Sequence, residues 1–184
     1  KAANRRVIYD AEHFFDAWKS NKDYTLKTIE AAVSSGAEVV ALCDTKGGSL
    51  PLEVYEITKE VTEKFAGKTE IGIHCHNDMG LAVATSLMSV EGGATHIQGT
   101  LVGFGERTGN ANLSTIIANL ELKMQIPCLP EDKLSLLTLA ARQVAEIANV
   151  NLDQGMPYVG GNAFAHKAGM HIDAVLKNPS AYEH

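Results

Sequence analysis

Apolar and polar positions along the chain follow two alternating rhythms. Short runs at 7–9, 38–43, 70–75 and 95–101 are continuously apolar or nearly so, as parallel strands covered on both faces should be. Between them lie stretches with apolar residues three and four apart. The stretch 24–34 carries Leu26, Ile29, Ala32 and Val33 on one side and is stopped by Gly36. The stretch 51–65 opens on Pro51, where a first helical turn tolerates proline. Further helices are predicted at 81–91 and 113–123. Strands alternating with amphipathic helices at intervals of about 25–35 residues imply right-handed βαβ units and a parallel sheet. Four such units make half of an eight-unit barrel.

After residue 125 the pattern changes. Pro127 and Pro130 break it, and 134–150 then predicts one long amphipathic helix. Residues 151–162 have no periodicity, and Gly155, Pro157, Gly160 and Gly161 predict an extended linker. A final helix is expected at 163–176, ended by Asn178-Pro179. The expected organisation is a barrel half over 1–125 and a helical linker subdomain over 126–184.

Composition narrows the class without changing this picture. The 184 residues are 45% hydrophobic and only 6% aromatic, with 16 glycines and 5 prolines, which suits a helix-rich α/β protein. The formal net charge is −6 and the basic residues are scattered, which argues against nucleic acid or an anionic membrane as partner. No apolar run approaches the ~20 residues that span a bilayer. Three separated cysteines, Cys43, Cys75 and Cys128, read as reduced thiols of a cytoplasmic protein.

The unusual polar residues cluster just after each strand, where parallel α/β folds carry chemistry. His74-Cys75-His76-Asn77-Asp78 is the sharpest of these clusters. Side chains on a strand alternate with period two, so His74 and His76 share a face and can donate to one divalent ion. Asn77 and Asp78 follow in the loop, to orient the histidines or a substrate. After the fourth strand comes Gly103-Phe104-Gly105-Glu106-Arg107-Thr108-Gly109-Asn110, whose glycines allow backbone to approach a ligand closely. Asn110 reads either as a helix cap or as an oxygen ligand. Asp44-Thr45 and Glu12 stand at the ends of their own strands, and either could be structural taken alone. His171 falls on a helical stretch, while His13, His96, His166 and His184 are assigned no role.

In this order, these residues resemble the family of 2-isopropylmalate, homocitrate and citramalate synthases. The resemblance rests on Asp44-Thr45-x-Gly47, His74-x-His76-Asn77-Asp78, the 103–110 loop and the tail Asn162-Ala163-Phe164-Ala165-His166-Lys167-Ala168-Gly169-Met170-His171. The stretch Tyr9-Asp10-Ala11-Glu12-His13-Phe14-Phe15-Asp16 is most similar to the citramalate branch.

The resemblance implies the carboxyl-terminal half of a (β/α)8 TIM barrel, strands five to eight, followed by the linker subdomain. It implies His74, His76 and Asn110 as metal-site residues for zinc, manganese or magnesium, and Thr45 as a contact of the 2-oxo acid carboxylate. Glu12 is implied as an active-site carboxylate near that substrate, and Glu106 as a contact of acetyl-CoA. His171 and Tyr182 are implied as catalytic groups that reach the partner's site in a homodimer. The implied reaction joins acetyl-CoA to pyruvate, giving citramalate in branched-chain amino acid biosynthesis. The family's strand-one aspartate, in an Arg-Asp-Gly type motif, does not occur here, so the chain alone is expected to be inactive. Two neighbours of this reading are 2-isopropylmalate synthase and a metal-dependent lyase or aldolase on the same scaffold. The CoA lyases resemble one another in placing a cysteine in the last loop, and the 103–110 loop has none. A non-catalytic metal-binding or dimerisation module is a further alternative for the chain by itself.

Overall fold

The computed structural model describes residues 4–182. Four parallel strands pair in chain order: β1 (Ile8–Ala11), β2 (Val39–Asp44), β3 (Glu70–Cys75) and β4 (His96–Gln98). The register sets Val39 beside Ile8 and Glu70, Cys43 beside His74, and His74 beside Gln98. Helices α1 (Phe14–Ser34), α2 (Pro51–Lys64) and α3 (Ala82–Glu91) connect the strands, and α4 (Leu113–Leu122) follows β4. This is the expected βαβ alternation.

The core lies between strands and helices. Every residue of β2 is buried, and Ile29 of α1, Val54 and Val61 of α2 and Ile73 of β3 are fully enclosed. A parallel sheet buried in this way needs no polar alternation, which explains the continuous apolar character of β2.

The sheet is strongly curled. Gln98 Nε2 donates to Asp10 Oδ1 at 2.9 Å, although β1 and β4 are separated by two intervening strands. In a flat sheet these strands would lie about 14 Å apart, three spacings of ~4.8 Å. That is more than an aspartate and a glutamine can bridge, so the faces carrying Asp10 and Gln98 converge. Barrel walls curl in this way.

Several elements differ from the sequence expectation. Helix α1 begins ten residues before the expected 24–34 segment and is broken at Asn21, which is extended at φ −156°. There Asn21 Oδ1 accepts from Tyr24 N at 3.0 Å and caps the second segment, which is the one the periodicity locates. The first segment, in which the Phe14 ring meets those of Phe15 and Trp18, is too short to show a period. The fourth strand is only His96–Gln98, and a 3-10 turn, Leu101–Gly103, begins at the last residue of the expected run. The expected 134–150 helix divides into a 3-10 turn, Leu134–Leu136, and α5 (Leu137–Ile147).

Two compact units are distinguished, Lys1–Ile116 and Ile117–His184. The second contains α5, a run of turns at 154–164 and α6 (Gly169–Lys177), which starts six residues later than expected. Within it, Glu121 accepts from the backbone N–H groups of Cys128 and Leu129 at 2.7 and 2.8 Å, and Tyr158 donates to Asn119 Oδ1. His184 lies outside the described residues. Among the described residues no helix is long and apolar enough to cross a membrane.

Candidate active site at the strand ends

His74 and His76 leave β3 on one face, as period two requires, with ring centroids 5.2 Å apart. An isolated antiparallel bridge pairs His76 with Asn110, and Ala111 N donates to Cys75 carbonyl oxygen. The glycine-rich loop therefore folds back along the end of β3. Asn110 Nδ2 donates to Phe104 carbonyl oxygen at 3.1 Å, which fixes the amide and leaves Oδ1 facing elsewhere. Asn110 Oδ1 and His76 Nδ1 are both buried without any hydrogen-bond partner. Two orphaned polar atoms on bridge-paired residues are costly unless something binds them. Burial first, then the neighbouring His74 and Arg107, lower the pKa of His76, and this keeps its imidazole neutral and able to donate a lone pair.

Among the described residues no three His, Cys, Asp or Glu side chains gather as a metal set. The available donors are two imidazoles and one amide oxygen. That set, with its two orphaned atoms, fits a divalent cation.

Asn110 does not cap α4. Asn112 stands at that helix start, where its Oδ1 accepts from Ser114 N at 2.9 Å. Asn77 lies in the turn before α3, where its Oδ1 accepts from Ala82 N, the first residue of that helix, at 3.1 Å, and so has a local role. Asp78 instead receives Arg107, with Nε and Nη2 donating to its two oxygens at 2.7 and 2.8 Å. Arg107 Nη2 also donates to Thr45 carbonyl oxygen at 2.8 Å. This one guanidinium ties together the loops after β2, β3 and β4. Its hydrogen bonds hold the Asp78 carboxyl below the usual carboxylate range.

Glu12 and Thr45, at the ends of neighbouring strands, are in direct contact. Thr45 Oγ1 donates to Glu12 Oε2 at 2.6 Å and accepts from His13 N at 2.8 Å. The neighbouring Asp44 is buried and satisfied by Gly48 N, Ser49 N and Ser49 Oγ, and so it shapes the loop that presents Thr45. Glu106 is exposed in the glycine-rich loop, its carbonyl accepting from Gly109 N.

In the second unit His171 and Tyr182 stack with centroids 5.4 Å apart. His166, assigned no role from sequence, joins them, 4.6 Å from Tyr182 and 6.3 Å from His171. Sequence reasoning also missed Asp10, Gln98 and Arg107. The signal for Gln98 was present: it is two residues past His96 on a strand whose register with β3 would place it beside His74.

The HMGL-like family profile matches residues 2–146, and the homocitrate synthase post-HMGL domain-like profile matches residues 158–184. The chain is 57% identical to an (R)-citramalate synthase of Aquifex aeolicus over 97% of its length, and 49% identical to that of Synechocystis over all of it. It is 37% identical to a 2-isopropylmalate synthase of Nitrobacter winogradskyi over 97% of its length. The chain spans about a third of the length of these relatives, 34% of the Aquifex protein and 35% of the other two. Among solved structures it is similar to the Bacillus subtilis HMG-CoA lyase, with TM-score 0.61, 26% identity and coverage of 71% of this chain and 44% of that one. The Acinetobacter baumannii HMG-CoA lyase shares the fold, with TM-score 0.64 at 21% identity, over 79% of this chain and 49% of that one.

These matches correct one expectation. The motifs imply strands five to eight, the second half of a barrel ending near residue 125. The HMGL-like match instead runs to residue 146 and places the chain in the amino-terminal, HMGL-like part of its relatives. The chain is an α/β barrel fragment with a four-stranded parallel sheet. The reason is physical: every βα unit buries the same kind of strand and presents the same kind of loop, so local patterning cannot number a strand within the ring. Sequence and fold together place this chain in the HMGL-like family.

Proposed function

We propose that the full-length protein carrying this chain is an (R)-citramalate synthase, joining acetyl-CoA to pyruvate in branched-chain amino acid biosynthesis. Its support is the pair of orphaned atoms, His76 Nδ1 and Asn110 Oδ1, at a strand end of a chain 57% identical to such an enzyme. His74 and His76 through ring nitrogens, and Asn110 through Oδ1, would hold a divalent metal: zinc, manganese or magnesium. Bound there, the metal supplies Lewis-acid polarisation of the 2-oxo acid carbonyl. Thr45 contacts the substrate carboxylate by turning its single hydroxyl proton to it from Glu12, which accepts that proton's hydrogen bond in the absence of substrate. Glu106 and the glycine backbone of the 103–110 loop meet acetyl-CoA. His171 takes a proton from the acetyl methyl group with Tyr182 beside it, and the resulting carbanion attacks the keto carbon. Hydrolysis of the thioester then releases CoA. His171 and Tyr182 belong to a linker subdomain, here taken as 126–184, that reaches the partner's site in a homodimer.

A cleavage reaction on the same scaffold is disfavoured because the 103–110 loop offers no cysteine. The test is CoA release by the full-length protein with acetyl-CoA and a panel of 2-oxo acids. Pyruvate is expected to give the highest kcat/KM. Preference for 2-oxoisovalerate would reassign the protein to 2-isopropylmalate synthesis, and absence of CoA release with every acid would overturn the synthase reading.

A further inference from the structure

We propose that Asp10 and Gln98 are positioning residues that hold His74 as its Nδ1–H tautomer and leave Nε2 as the free lone pair of the ring. Gln98 Oε1 lies 3.0 Å from His74 Nδ1, and Gln98 Nε2 lies 2.9 Å from Asp10 Oδ1. An ionised carboxylate can only accept hydrogen bonds. Asp10 therefore requires the NH2 end of the Gln98 amide, because the reverse orientation would set two oxygens against each other. With NH2 committed to Asp10, the end left for His74 is Oε1, which also only accepts. A close contact between that oxygen and Nδ1 needs a proton on Nδ1. A neutral imidazole carries one ring proton, so Nε2 has none.

The three residues come together for separable reasons. Register places Gln98 directly beside His74 on the neighbouring strand. The curl of the sheet brings Asp10 across from the opposite edge. A carboxylate at one end thus sets the protonation pattern at the other through a neutral amide. Outer groups that fix ring orientation and tautomer are a regular support of histidine ligands. The use of this lone pair for a metal rests on the synthase reading, whereas the state of the ring does not.

The test is a long-range 1H–15N spectrum of the 15N-histidine-labelled chain at pH 8, above the ordinary imidazole range. His74 is identified by the signals lost in His74→Asn. The parent is expected to show a protonated Nδ1 and an unprotonated Nε2. Gln98→Leu should lose the Nδ1–H pattern, while Gln98→Glu, which still accepts from Nδ1–H, should keep it. Asp10→Asn should give both tautomers, because the Gln98 amide is then free to turn. A merely structural glutamine would not separate Leu from Glu in this way. An Nε2–H ring in the parent, or an Nδ1–H ring that survives in Gln98→Leu, would overturn the proposal. If Gln98→Leu loses its folded amide spectrum, Asp10→Asn decides, and an unchanged single tautomer there is equally fatal. Failure of the synthase reading would show in CoA release and would leave these spectra unaltered.

Discussion

Arg107 serves three loops with one side chain, and it does so from a left-handed backbone position, φ +56°, that few non-glycine residues adopt. The lowered pKa of Asp78 is the titratable sign of that latch. A depressed carboxylate pKa contributes stability above the unfolded value, about 3.9, and the contribution is lost as pH falls through the folded one. The Asp78 carboxyl should therefore titrate below the ordinary aspartate range in a 13C-detected titration, and Arg107→Gln should move the midpoint upward. Gly47 is a second critical point. It sits at φ +60°, and a Cβ there would lie 2.7 Å from Asp78 Oδ2 and 2.8 Å from His76 carbonyl oxygen. Gly67, at φ +71°, has open space around it. Gly67→Ala should cost about 1–2 kcal/mol from backbone conformation alone, and Gly47→Ala distinctly more, as read from denaturant midpoints. Under the proposed mechanism, His171→Ala should lower kcat about 10²–10⁴-fold with little change in KM for the oxo acid. Equal loss in both would sink the base assignment. The histidine pair and the glycine loop could be read in sequence because period two and residue type suffice. Asp10 and Arg107 could not, because each acts on a residue 29 or more positions away, whereas the pairing of Gln98 with His74, 24 positions apart, follows from strand register.

Helix α2 shows how an element carries an internal cost. Thr58 is fully buried, and its hydroxyl has no partner. Its Cβ lies 3.2 Å from where a side chain on Gly92 would begin, so α2 and the turn after α3 pack too closely for a larger residue. Valine has the same branching without the hydroxyl. Thr58→Val should stabilise the fold by about 1 kcal/mol, the lower end of the cost of an unsatisfied buried polar group. An unchanged or lower thermal midpoint would show that the hydroxyl is satisfied in solution. Element positions were legible where apolar periodicity ran long, as in β3 and α2, which match their expected bounds to within a residue. They failed where a polar residue interrupts a helix, as Asn21 does in α1, or where glycines shorten a strand, as after Gln98.

At the scale of the molecule, the two outer strands differ sharply from the inner pair. β2 is buried throughout, whereas β4 is half-buried along its length and Ile8 of β1 is 40% exposed. Amide exchange should be slowest in β2 and β3 and faster by orders of magnitude in β1 and β4, because the outer strands open without breaking the core. Uniform protection across all four strands would mean that both edges are covered in solution. The bond that joins those edges, from Gln98 to Asp10, belongs to a side chain that also meets a ring of the proposed site. Under the proposed tautomer control it would work as a gauge: flattening the wall would lengthen that bond, free the amide to turn and release the ring of His74. The protonation pattern of one imidazole would thereby be tied to the curvature of the wall.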